Sequence, residues 1–164
     1  MSDDDTVNVI KPPDMLSSKV SKGGPGAVDL AAIERAESVI ANMADDYLDW
    51  VEDDLVKIAN AQKELKANRD QSEHHLDKVF QVAHDMKGQG GTFGYQLITD
   101  FAEGLYNFTA AGAGLSDSHV EIIKAHLDAM RVVIRERIEG DGGDIGAEIK
   151  KGLELSVQKF SNKK

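Results

Sequence analysis

At 164 residues the chain has the length of a single domain, enough to bury a core without disulfide or metal support. Cysteine is absent, which excludes disulfides, zinc thiolate sites and cysteine nucleophiles. The formal net charge of −10 disfavours nucleic acid and anionic membrane surfaces as partners, and no apolar run approaches the ~20 residues that span a bilayer.

Residues 1–26 hold Pro12, Pro13, Gly23, Gly24, Pro25 and Gly26 among Ser, Asp and Lys, with no sustained apolar period. This composition cannot offset the entropy of ordering, so the segment reads as a mobile tail. Val7, Val9 and Ile10 offer it a short extended docking segment. The opening Met-Ser-Asp-Asp-Asp lacks the basic and apolar regions of a signal peptide, and the expected location is the cytoplasm.

Residues 27–164 read as one helical domain. Asp29 is placed to cap a helix, since its carboxylate can accept free backbone N–H groups. Leu30, Ile33, Ile40, Met43, Tyr47, Val51, Leu55, Ile58 and Leu65 follow at spacings of a helical stripe. Unbroken to Ala67, that helix is roughly 60 Å long, far longer than those after it. A break near Ala44–Asp46 is expected on that ground, although the stripe keeps its phase. A second helix is expected over 72–91 and a third from Thr92 or Gly94 to Thr109. Ala110 to Gly114 is a turn signal. Ser116 caps a fourth helix carrying Val120, Ile123, Leu127, Met130, Val133, Ile134 and Ile138, and Gly140-Asp-Gly-Gly143 ends it. A last helix covers 144–160. The three prolines all lie in the tail, and no segment reads as a strand. The expected fold is all-α: an antiparallel up-and-down four-helix bundle with one or two additional helices.

The chemistry concentrates between Phe80 and Gly94. At about 100° per residue, Val79, Val82, Ala83, Met86 and Phe93 gather on one side of a helix, and His84 lies roughly 150° from their centre. The imidazole therefore faces solvent. Lys87 follows at i+3, Gly88 at i+4 and Gly91 at i+7, on the histidine side. A glycine within a helix costs about 0.8–1 kcal/mol relative to alanine. One reason to keep two on an exposed face is access, because a partner surface can then approach the ring. Neutral imidazole is a nucleophile near neutral pH, and a neighbouring ammonium stabilises the anion formed on phosphorylation. The opposite reading ends the helix at Lys87 and leaves His84 an ordinary exposed residue near a C-terminus. Spacing alone leaves both open.

Other candidates carry less. The stretch from Lys87 to Gly94 is glycine-rich but lacks the preceding strand and the Gly-Lys-Ser/Thr ending of a P-loop. His74, His75, His119 and His126 lack a metal-ligand pattern and read as exposed helix histidines, so no metal site is assigned. Asp45, Asp46, Asp49, Glu52, Asp53 and Asp54 form a solvated helix face without the spacing of a calcium loop. Trp50, among these charges, reads as an edge-of-core residue, with an interface role as the alternative.

The run Ala83-His84-Asp85-Met86-Lys87-Gly88, followed by Phe93-Gly94 and Leu97, resembles the signature of histidine phosphotransfer (Hpt) domains. Gln89-Gly90-Gly91, Tyr95 and Met86 depart from the family's usual small residues, alanine and leucine. The resemblance implies a four-helix bundle with an exposed histidine on its second long helix. It implies that His84 accepts a phosphoryl group on Nε2 and exchanges it with the aspartate of a response-regulator receiver, or takes it from a histidine kinase. Lys87 then matches the family's charge partner and Gly88 the position left small beneath the ring. Gly88, Gly91 and Phe80 are assigned to partner contact, with packing at the bundle edge as the alternative for Phe80. The chain is expected to be a monomeric phosphocarrier rather than an autonomous enzyme. It needs no cofactor of its own, and Mg2+ belongs to the partner receiver. A non-catalytic helical adaptor and a dimerising phosphoacceptor domain of a histidine kinase are the competing readings.

Overall fold

The computed structural model describes residues 29–111 and 116–162. The expected tail, 1–26, and its docking segment lie outside the described residues. The chain divides into two compact units, 1–38 and 39–164. In the first, the described residues begin a helix and are exposed. The Asp29 carboxylate caps that helix by accepting from the Ala32 N–H at 3.2 Å.

Among the described residues the elements are α1 (Leu30–Ala67), α2 (Ser72–Gln89), α3 (Gln96–Ala110), α4 (Asp117–Arg135) and α5 (Gly143–Ser161), with short 3-10 turns at Arg69–Gln71 and Gly90–Phe93. All regular structure among the described residues is helical, as the sequence pattern leads one to expect. The break anticipated near Ala44–Asp46 is absent. No glycine or proline interrupts α1, so nothing local forces a kink, and burial along it begins only at Tyr47, with Leu30, Ile33, Ile40 and Met43 exposed.

The bundle lies in the second unit. Tyr47, Val51, Leu55, Ile58, Ala61 and Leu65 of α1 repeat at steps of three and four and are buried. They meet Val79, Ala83 and Met86 of α2, Leu97, Ile98, Phe101 and Leu105 of α3, and Val120, Ile123, Leu127, Met130 and Val133 of α4. Burying each large apolar side chain contributes about 1.5–3 kcal/mol, so these four stripes hold the antiparallel helices together. At the end where α1 gives way to α2, Lys66 pairs with Glu121 at 2.8 Å and Arg69 with Asp117, joining that connection to α4. Ser116 starts α4 as expected: its hydroxyl accepts from the His119 N–H, and His119 Nδ1 accepts from the Ser116 N–H.

The additional helix, α5, packs on α4, with Ile149 and Leu153 against the core. Lys150 ties it to α3 through Asp100 at 2.6 Å. Burial acts to raise the Asp100 carboxyl, but hydrogen bonds from Lys150 and Gln96 outweigh it and leave the carboxyl below its ordinary range. The loop before α5 is joined by backbone to the start of α3. Gly140 N–H donates to Gly94 O at 2.6 Å, and Leu97 N–H donates to Gly140 O at 3.3 Å.

Two further expected features are corrected. The second helix ends at Gln89 rather than at residue 91, because the chain tightens into the 3-10 turn. A Cβ on Gly90 would lie 2.6 Å from Thr99 Oγ1 and 2.8 Å from the Thr99 nitrogen and Tyr95 oxygen, so only glycine fits where this turn crosses α3. Gly94 follows with φ +83°, the left-handed conformation that reverses the chain into α3. The second correction concerns the histidines. His75 and His126 are buried, at 7 % and 5 % exposure, rather than exposed. Each falls on the apolar stripe of its helix, His75 four residues before Val79 and His126 three after Ile123.

Candidate functional site

Helix α2 presents opposite faces to the core and to solvent. Val79, Ala83 and Met86 point inward, and His84 is exposed, as the periodicity requires. The helix continues past His84 to Gln89, so the histidine stands more than a turn inside it.

The neighbours of His84 form an aromatic and cationic cluster. Phe80, His84 and Lys87 lie four and three residues apart, on one stripe of α2. All three meet Tyr106 of α3. The Phe80 ring stacks on Tyr106 with centroids 4.6 Å apart and 27° between planes. The His84 ring lies 5.4 Å from it, tilted by 45°. The Lys87 ammonium sits over it, 4.4 Å from the ring centroid. Phe80, Lys87 and Tyr106 are half-buried, and His84 alone of the four is exposed.

The glycines differ in what surrounds them. Gly88 is exposed, and a Cβ there would meet no atom within 4 Å. Packing within the chain therefore gives no reason for a glycine at this position. Gly91 is also exposed but lies past the end of α2, in the 3-10 turn, so the seven-residue spacing does not set its direction. Its N–H donates to Thr99 Oγ1 at 2.9 Å. Phe80 is partly engaged by Tyr106, in keeping with the bundle-edge alternative.

The side of the site facing α1 is mainly acidic. Lys57 of α1 hydrogen-bonds Asp54 at 2.6 Å. That bond and the Asp54 charge, with Asp53 and Asp85 adding, raise the Lys57 ammonium above its ordinary range. Asp85, next to His84, thus shares a field with Asp53, Asp54 and Lys57 across the two helices. Asp46, Asp49, Glu52 and Asp53 are exposed, as a solvated face requires. Trp50 is 39 % exposed and packs edge-on against Phe93 at 5.9 Å, which makes it an edge-of-core residue. Phe93 also stacks on the buried Tyr47 at 4.5 Å. Burial, reinforced by Asp54 and Tyr95, pushes the Tyr47 phenol well above its ordinary range.

His119 serves the α4 cap, and the Nδ1–H of His126 donates to Ile122 O at 2.9 Å. Among the described residues no group of three or more His, Asp or Glu is arranged to hold a metal ion. No helix among them is long and apolar enough to cross a membrane.

Tyr106 is the site residue that sequence reasoning missed. The common stripe of Phe80, His84 and Lys87 was legible, but which α3 residue faces it depends on the register set by the 90–95 turn. Compared with protein-family models, residues 42–133 match the Hpt domain, more than half of the chain, including α2, α3 and the site described above. Neither curated proteins nor solved structures give a match.

Proposed function

This chain belongs to the Hpt domain family, whose members carry phosphoryl groups in two-component phosphorelays, and on that premise we propose that His84 is its phosphoacceptor and Lys87 the charge partner of the phosphoryl group. The observation that carries this reading is an exposed imidazole inside a family-matched helix, flanked by a half-buried lysine and by a glycine with open space above it.

In the proposed step the lone pair of His84 Nε2 attacks the phosphorus of an aspartyl phosphate on a receiver domain. The N–P bond forms as the bond from phosphorus to the carboxylate oxygen breaks, and that electron pair returns to the aspartate. The Nδ1 proton stays on the ring. The reverse step delivers the phosphoryl group to a second receiver. Lys87 offsets the charge on the transferring group. Gly88 and Gly91 let the receiver surface approach, and the exposed part of Phe80 contributes an apolar contact at its rim. Magnesium and the acidic pocket come from the receiver, so this chain acts as a phosphocarrier and not as an autonomous enzyme. We place it in the cytoplasm, as a monomer, with receiver domains or a histidine kinase as partners.

The test is transfer from a panel of phosphorylated receiver domains. The reading expects at least one of them to label the native chain with phosphate, and His84→Gln to take up none. Equal labelling of the two chains contradicts the assignment of His84. No labelling from any donor favours the adaptor reading.

A further inference from the structure

A lysine side chain has several rotatable bonds, and holding its ammonium in one place costs rotamer entropy. If Lys87 is to meet a phosphoryl group arriving at His84, something must restrict it beforehand. Among the described residues no carboxylate forms an ion pair with Lys87; its ammonium lies over the Tyr106 ring, 4.4 Å from the centroid. The same ring lies 5.4 Å from that of His84 and is backed by the stacked ring of Phe80.

Resting on the reading of His84 as phosphoacceptor, we propose that Tyr106 is a positioning residue: its aromatic face holds the Lys87 ammonium beside His84 in the unphosphorylated chain.

The arrangement has a chemical logic. A carboxylate partner would hold Lys87 more firmly, but it would neutralise the charge and repel the incoming phosphoryl group. An aromatic face holds a cation by its quadrupole, and more strongly where the pair is desolvated. It places no formal negative charge in the path of the phosphoryl group, so the ammonium remains available to it. Phe80 keeps Tyr106 from turning away, which gives this half-buried residue a role that does not depend on touching the partner. Tyr106 itself is set on a firm stretch of α3, between the buried Leu105 and the Thr109 hydroxyl, which donates to the Leu105 and Tyr106 carbonyl oxygens at 2.9 and 3.0 Å.

Two measurements on the full chain test this. The first needs no phosphorylation. In the native protein the Lys87 ε-methylene protons should be shifted upfield by the ring current of Tyr106. The shift should persist in Tyr106→Phe and vanish in Tyr106→Leu, with circular dichroism checking that each variant is folded. Lys87 protons at ordinary lysine positions in the native chain overturn the proposal, whether or not Tyr106→Leu folds. The second is the rate at which His84 accepts phosphate. Tyr106→Leu should slow it about three- to tenfold, Tyr106→Phe should restore it, and Tyr106→Leu should add nothing to Lys87→Ala. Additive losses in the double variant overturn the proposal. Failure of the native chain to accept phosphate contradicts the phosphoacceptor reading instead, and the lysine spectrum then still reports on the Tyr106 contact by itself.

Discussion

At Gly88 the physical argument is about what the chain does not need. A glycine more than a turn past His84 weakens α2 by about 0.8–1 kcal/mol, yet a Cβ there would meet no atom within 4 Å. Gly88→Leu is therefore expected to leave the melting temperature unchanged or slightly raised while blocking transfer from a receiver. Unchanged transfer would refute the access argument. His126 gives a second prediction, on stability. Burial lowers its pKa below the ordinary value, against the opposing hydrogen bond to Ile122 O. The unfolded chain thus takes up the proton more readily than the folded one. The stability that neutral His126 contributes is fully present above about pH 6.5 and is lost as pH falls through the ordinary histidine range towards the lower folded value. Urea unfolding at about pH 7.5 and about pH 5.5 should show a smaller loss for His126→Gln than for the native chain. Equal losses would mean that His126 does not carry this dependence.

Among the elements, the 3-10 turn between α2 and α3 decides the geometry of the site, because it fixes which residue of α3 faces the His84 stripe. Gly90→Ala forces a Cβ against Thr99 and Tyr95 and should cost about 1–3 kcal/mol in urea unfolding; a neutral result would mean that the turn yields easily. Much of this level was legible in the sequence. The α2 stripe predicted both the buried Val79, Ala83 and Met86 and the exposed His84, and Asp29 and Ser116 cap helices as their residue types suggest. The end of α2 was not legible, because Gly90 and Gly91 read equally as helix or turn until Thr99 is brought against them. Length alone was a poor guide to α1, whose unbroken stripe was the better signal. His75 and His126 were misread because residue type was weighted above their position on the apolar stripes. Tyr106 was missed because its contacts are with Phe80, His84 and Lys87 of α2, far earlier in sequence, and no local pattern encodes that register.

Within residues 39–164, four helices of one chain supply the apolar stripes of one core, with α5 packed alongside α4. A bundle of this kind does not need a second copy to bury its core. Light scattering should return the mass of one chain, 17.8 kDa; a dimer would favour the dimerising kinase-type domain instead. The chain carries a formal net charge of −10, and Lys87 brings a positive charge over Tyr106 next to His84. The whole account turns on whether that histidine accepts phosphate, and the most direct measurement is phosphorus NMR of the purified chain after incubation with phosphoramidate. The account predicts an acid-labile, alkali-stable signal of a phosphorus–nitrogen bond in the native chain and its loss in His84→Gln. The same signal at full strength in His84→Gln would contradict it.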